Sequence, residues 1–175
     1  MSDHMLRPAT DDDLDAMRAW RNQPPNREVS INSHEITPDE HAAWWSKTRS
    51  DPSRQVLIYE REGVPSGVVN FFDLAPAGPG RTGSWGFFLD AAGLAERGET
   101  LPAWLEVMRE AADHAFDVLG LEELTGEVLE ENMVVRQMNR RFRFVEGEPE
   151  SREADGRTIS VIPISLKKEN RRRRG

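Results

Sequence analysis

The sequence predicts a mixed α/β domain (α+β by some schemes): a central sheet, mostly antiparallel with one parallel pair, flanked by about four helices. Three observations carry that expectation. Residues 55–61 alternate with period two, setting Val56 and Ile58 against Leu57 and Tyr59. A Gly- and Pro-containing connection, Glu62-Gly63-Val64-Pro65, returns the chain through 66–74 towards a third strand at 84–89. An amphipathic helix from Pro102 to Leu119 then leads to a strand at 124–129, and a helical crossover of that kind makes strands 84–89 and 124–129 parallel. Finally, Thr37-Pro38-Asp39-Glu40 combines an N-cap, a first-turn proline and a capping-box glutamate, which fixes a helix start.

The remaining elements follow in order. Residues 5–8 form a short strand ending at Pro8. Asp11, Asp12 and Asp13 cap a helix that carries Leu14, Met17, Trp20 and Arg21 on one side and ends at Gln23-Pro24-Pro25-Asn26. The capped helix from Thr37 runs to about Arg49 and closes at Asp51-Pro52-Ser53. Residues 75–80 make a loose turn and residues 90–100 a polar loop. The 102–119 helix buries a stripe of Trp104, Met108, Ala111, Ala115 and Leu119, and Gly120 ends it. After Asn132 comes a short helix, then a hairpin of 142–146 with 158–166, in which Pro163 marks an edge or a bulge.

Composition bounds the function. There is no Cys, so no disulfide, thiolate or Cys-ligated zinc, and four scattered His without paired spacing argue against a metal site. No apolar run reaches the roughly 20 residues of a membrane span, and the first residues lack a signal-like pattern, so a cytoplasmic protein is expected. Residues 167–175 carry six Lys and Arg against one Glu, a net +5; the formal −8 therefore leaves −13 on residues 1–166. One domain over 1–166 with a basic, disordered tail is expected. The acidic body disfavours nucleic acid and favours cationic partners.

The element order, read with Leu119-Gly120-Leu121, the stretch from Gly126 to Asn132 and the stretch from Phe142 to Glu148, resembles the GNAT superfamily of acyl-CoA N-acyltransferases. The likeness is to its subgroup acting on ribosomal-protein N-termini and small amines. Trp20-Arg21-Asn22, followed by the stretch from Ile36 to Trp44, is similar to amino-sugar acetyltransferases of that subgroup. The resemblance implies a sheet splayed at its parallel pair and acetyl-CoA as co-substrate. The pantetheine arm would lie along Phe87, Phe88 and Leu89, the pyrophosphate on backbone N–H groups of Arg97, Gly98, Glu99, Thr100 and Leu101, and Asn132 would touch the cofactor. A strand running into a helix N-terminus is an anion site on physical grounds as well. The chain departs from the family pattern at Thr100, where a Gly or Ala is usual and Pro102 follows. Arg143 replaces a Gly, and Asn139 replaces a Tyr that often protonates the departing thiolate.

Aminolysis of a thioester needs a neutral amine, so a base is useful. Glu127 matches a glutamate proposed as base in the family, with burial expected to raise its pKa; its alternative is a solvated strand carboxylate. His41 is the second candidate. Trp44 and Trp45 offer an aromatic wall for an amine or sugar, or ordinary core packing, and about 100° separates them around the helix. Asn70 is a polar position between Val69 and Phe71 that could recognise an acceptor, as could Asn22 and Asp73, while His34 faces the acceptor on a weaker argument. The reading is transfer of an acetyl group to a primary amine of a small molecule, an amino sugar first among specific acceptors, by a monomer or homodimer. Its alternatives are acetylation of protein N-termini, an acyl-CoA-binding protein without turnover, and a polyanion-binding tail.

Overall fold

The computed structural model describes residues 5–171. Its eight-stranded sheet has the order β1-β2-β3-β4-β5-β8-β6, with β7 also on β8. The strands are β1 (Leu6–Pro8), β2 (Gln55–Arg61), β3 (Val64–Phe72), β4 (Thr82–Leu89), β5 (Glu123–Leu129), β6 (Val145–Glu146), β7 (Glu150–Ala154) and β8 (Arg157–Lys167). Every pairing is antiparallel except β4 with β5. Six α-helices flank the sheet: α1 (Leu14–Arg21), α2 (Pro24–Glu28), α3 (Pro38–Thr48), α4 (Ala91–Arg97), α5 (Thr100–Asp113) and α6 (Met133–Arg141). None is long and apolar enough to cross a membrane.

Alternation puts one core on each face of the sheet. Tyr59, Val69, Phe71, Trp85, Leu89, Leu124 and Ile164 face α5 and pack with Val107, Met108, Ala111 and Phe116. Val56, Ile58 and Val68 face the other way, against Met17, Trp20 and Trp45 of α1 and α3. The expected capping box of α3 forms, with the Glu40 N–H donating to Thr37 Oγ1 at 3.1 Å.

Four details differ from the sequence reading. The Pro-rich segment expected only to end α1 makes the short helix α2, because Pro24 and Pro25 at its first positions have no N–H to waste. The 90–100 loop is mostly helix: Asp90 caps α4 through the Gly93 N–H at 3.0 Å, and Gly98, at φ 70°, ends it in the left-handed region. Pro163 is not on an edge, but it adjoins a one-residue shift of register between β6 and β7, as a bulge gives. It sits on an inner strand, where its missing N–H points into the gap between the partners β6 and β7. The first residues of the expected tail have regular structure: β8 reaches Lys167 and a 3-10 turn spans Lys168–Asn170. Arg171 pairs with Asp117 at 2.9 Å over the Phe116 ring, and the rest of the expected tail lies outside the described residues.

The end of α6 is a Schellman turn. Phe144 N–H donates to the Asn139 carbonyl at 3.0 Å and Arg143 N–H to the Arg140 carbonyl at 2.9 Å, with Arg143 at φ 72°. The position wants glycine, since a Cβ in this region costs roughly 1–2 kcal/mol. Arg143→Gly is expected to raise stability by up to about 1 kcal/mol after the added freedom of the unfolded chain is set against the relieved strain. Urea unfolding monitored by tryptophan fluorescence measures it; a lower midpoint would contradict this account.

Candidate functional site

Strands β4 and β5 pair over only three positions, Thr82 with Glu123, Gly83 with Leu124 and Ser84 with Thr125. The last rung is closed by the two hydroxyls, Ser84 Oγ and Thr125 Oγ1, 2.7 Å apart. Beyond it the strands part. Each stays bound to its outer neighbour, β4 to β3 as far as Leu89 and β5 to β8 as far as Leu129.

The ladder geometry dictates which backbone groups the opening receives. Asp90 N–H donates to the Ser66 carbonyl at 2.8 Å, so the even residues of β4 bond to β3 and the N–H and C=O groups of Trp85, Phe87 and Leu89 point towards β5. Likewise Glu130 N–H donates to the Ser160 carbonyl at 2.9 Å, which leaves the main chain of Glu127 and Leu129 directed at β4. Two of these groups are used locally: Asn26 Nδ2 donates to the Leu89 carbonyl at 2.8 Å, and Asn132 N–H to that of Leu129 at 2.9 Å.

The opening is a cleft of about 520 Å³. Trp85, Phe87, Leu94 and Trp104 give it an apolar floor, with Phe87 stacked on Trp85 at 5.3 Å and edge-on to Trp104 at 6.0 Å. Thr100, Asn132, Val135 and Asn139 form one side, and residues 28–31 the other. Among its lining residues only Glu28 and Glu127 carry a charge.

Of the expected cofactor positions, Phe87, Phe88, Leu89, Thr100 and Asn132 line the cleft. Arg97 ends α4, Gly98 and Glu99 connect it to α5, and Leu101 is in the first turn of α5; these four do not line the cleft. The first-turn N–H groups of Thr100 and Leu101 have no acceptor among the described residues, and Pro102 has none to offer. Glu99 does not plug them. Its carboxylate, held below the usual range chiefly by Arg61, turns to Arg61 and to Arg97 Nε at 3.1 Å. Arg97 is thus already engaged, with Ser66 Oγ as a second partner at 3.1 Å. Asn132 caps α6 by accepting from the Val135 N–H at 3.4 Å through its amide oxygen.

The expected base and acceptor residues divide. Glu127 lines the cleft, but the burial expected of it is absent: it is exposed and gripped by the Arg152 guanidinium through both carboxylate oxygens. Alternation from the Ser84–Thr125 rung puts its side chain on the α1/α3 face, level with Gly86 and Asn70. Gly86 has open space where a Cβ would be, so Asn70 shares a row with Glu127 across the opening. His41, Trp44 and Trp45 do not line the cleft. Trp45 is core, with its indole N–H donating to Asp11 Oδ1 at 2.7 Å, and the half-buried Trp44 stacks on His41 at 5.1 Å. For Trp45 the packing alternative holds, because the 100° step sends it inward, while Trp44 stays half-buried. Sequence reasoning missed Arg152, since β7 is too polar to read as a strand. It also missed Trp85 and Glu28 as lining residues; Trp85 could have been placed from its alternation with Gly86 in β4.

A split sheet edge bearing free donors beside a bare helix N-terminus can take an amide-bearing, anionic ligand. Residues 4–145 match the model of the acetyltransferase (GNAT) domain, and the chain belongs to that family. Solved structures agree in fold. The spermidine N-acetyltransferase of Vibrio cholerae in complex with CoA and spermine superposes with a TM-score of 0.79 at 18% identity, over 94% of this chain and 95% of that one. An N-acetyltransferase from Staphylococcus aureus Mu50 gives 0.70 at 18%, over 93% and 97%. Campylobacter jejuni N-acetyltransferase PseH in complex with acetyl coenzyme A gives 0.64 at 15%, over 93% and 99%. No curated protein matches the chain in sequence.

Burial lowers the pKa of His41, with Arg18 adding to the effect, and also that of His114, whose Nε2 lies 2.7 Å from Gln55 Oε1. A depressed folded value means that the unfolded chain takes up these protons first. Stability is therefore full above the ordinary value near 6.5 and declines as pH falls through the window below it. His114→Gln is expected to flatten the loss of thermal stability between pH 7 and pH 5; an unchanged slope would show His114 to be solvated.

Proposed function

We propose that the protein is an acetyl-CoA-dependent N-acetyltransferase acting on a primary amine of a small molecule. The parting of β4 from β5 after the Ser84–Thr125 rung supports this reading most directly. It leaves strand-edge donors and acceptors beside Phe87 and Leu89 that suit the amide-bearing pantetheine arm, over an apolar floor that suits its methylenes. The free N–H groups of Thr100 and Leu101 suit the pyrophosphate, and Arg97 can turn from Glu99 to join them. Thr100 and Pro102 make this a leaner anion site than two glycines would.

The amine attacks the thioester carbon, the C–N bond forms, and the C–S bond breaks. Charge gathering on the carbonyl oxygen falls among the unpaired main-chain N–H groups of the parted strands. Glu127 receives the proton of the attacking amine, directly or through one water, and Arg152 fixes the direction of its carboxylate. Asn139 is an amide and cannot protonate the departing sulfur, so solvent supplies that proton. Glu28 and Glu127 as the charged lining favour an acceptor that arrives as a cation. An amino sugar, suggested by the resemblance carried by Trp20-Arg21-Asn22 and residues 36–44, remains one arm of the test.

Thiol release measured across diamines, amino sugars, amino acids and N-terminal peptides tests the reading. Turnover with small amines is expected. Turnover with peptides alone would favour the protein N-terminal alternative, and tight acetyl-CoA binding without turnover on any acceptor would favour an acyl-CoA-binding protein. Glu127→Gln is expected to lower kcat/KM for the acceptor about 100-fold while leaving acetyl-CoA affinity unchanged; an activity within twofold of the parent protein would remove Glu127 from the mechanism.

A further inference from the structure

One wall of the cleft is a loop whose Val29, Ser30 and Ile31 line the opening. Side chains from three other places hold its main chain. Arg157 Nη2 donates to the Ser30 carbonyl at 3.3 Å, Arg27 Nε to that of Ser33 at 3.0 Å, and Arg21 to that of Asn32. Asp155, at the tip of the β7–β8 hairpin with φ 50°, accepts from the N–H groups of Ser33 at 2.7 Å and His34 at 3.2 Å.

His34 completes the fastening. Its Nδ1 lies 3.2 Å from both oxygens of Asp155, and its Nε2 lies 2.7 Å from Glu40 Oε2 in the first turn of α3. A neutral imidazole carries one N–H, and its other nitrogen is an acceptor. With a carboxylate at each end, a neutral ring would set a lone pair against an anion at one of them. Only the imidazolium satisfies both. The other charges around the group are Arg21 of α1 and Arg27 of α2, which disfavour a further cation, and Glu35 next in the chain.

We propose that His34, as an imidazolium, is a positioning residue that ties the 28–31 side of the cleft, which carries Glu28, to the β7–β8 hairpin and to α3, so that recognition of a cationic acceptor weakens once the ring loses its proton. The inference rests on the reading of this cleft as an acetyl-transfer site. Because the same hairpin carries Arg152, loosening it also relaxes the grip on Glu127. The flanking carboxylates of Glu40 and Asp155 move the titration of His34 above its ordinary value of 6.5. A raised folded value means that the tie is complete below pH 6.5 and is released as pH climbs through that higher value, the reverse of His41 and His114.

The test uses the full chain and the variant Asp155→Asn. Asparagine tolerates the left-handed backbone and still accepts from Ser33 and His34, yet it does not require a charged ring. NMR titration of the His34 ring, amide exchange over residues 29–34, and KM for acceptor and for acetyl-CoA are followed from pH 6 to pH 9. In the parent protein His34 is expected to titrate above 6.5, with exchange of the loop accelerating through the same midpoint. Relative to Asp155→Asn, the acceptor KM is expected to rise about fivefold across that midpoint while the acetyl-CoA KM stays level. A ring titrating at or below 6.5, loop exchange that ignores the midpoint, or both KM values moving together would overturn the proposal. Failure to acetylate any amine would instead overturn the reading of the cleft, since the ring titration and the exchange need no substrate.

Discussion

The structure depends on two strands that each satisfy their outer edge and abandon their inner one. Six register pairs hold β4 to β3 and seven hold β5 to β8, so neither strand needs the other for its place in the sheet. Between them, three pairs and one hydroxyl contact suffice to fix register. Gly126 stands where they begin to part; a Cβ there would lie 3.2 Å from the Trp85 carbonyl oxygen. Just beyond, Trp85 stacks on Phe87 and, at 6.0 Å, on Phe144, an aromatic block with no counterpart on β5. An unpaired strand edge inside a fold is costly unless water or a ligand completes it. In this sense the opening is a binding site before any side chain is considered.

What surrounds the opening is tuned by charges that bind one another. Arg61 links Glu99 to Glu106, and Arg97 leans on Glu99, so the helix N-terminus most suited to an anion has its nearest carboxylate drawn aside. Glu146 is occupied in the same manner by Arg136 and Arg140, and Glu127 by Arg152. Glu28 has no partner among the described residues. The acidic excess of the chain therefore reaches the cleft through two carboxylates, one loose and one aimed.

How far the sequence could be read follows from what each signal encodes. Periodicity and caps are local, and they placed the sheet strands, the capping box of α3 and the crossover that makes β4 and β5 parallel. Where a segment takes its structure from a neighbour, composition misled. Glu150-Ser151-Arg152-Glu153-Ala154 has little strand propensity, yet it pairs because β8 offers an open edge and Asp155-Gly156 make a two-residue turn at positive φ. Gly93 and Gly98 made α4 look like a loop, although the first sits under its capping aspartate and the second ends it. The tryptophan pair was ambiguous for a geometric reason: adjacent helix positions cannot both face one pocket, and packing chose Trp45 for the core. Arg143 shows the converse, a departure from expected glycine that the backbone tolerates under strain.

Proton traffic is the last constraint that the fold imposes. The chain has a single tyrosine, Tyr59, wholly buried against α5 and bonded to Glu106, with burial and that carboxylate pushing its hydroxyl well above the usual range. It cannot reach the cleft, and the sequence has no cysteine. His41 and His114 are committed to packing, and His34 to its two carboxylates. Of the described groups lining the opening, only Glu28 and Glu127 are charged. In the proposed reaction a carboxylate takes the proton from the amine and water returns one to the thiolate. The exposure of Glu127, which spoils it as a buried base, leaves its carboxylate open to solvent.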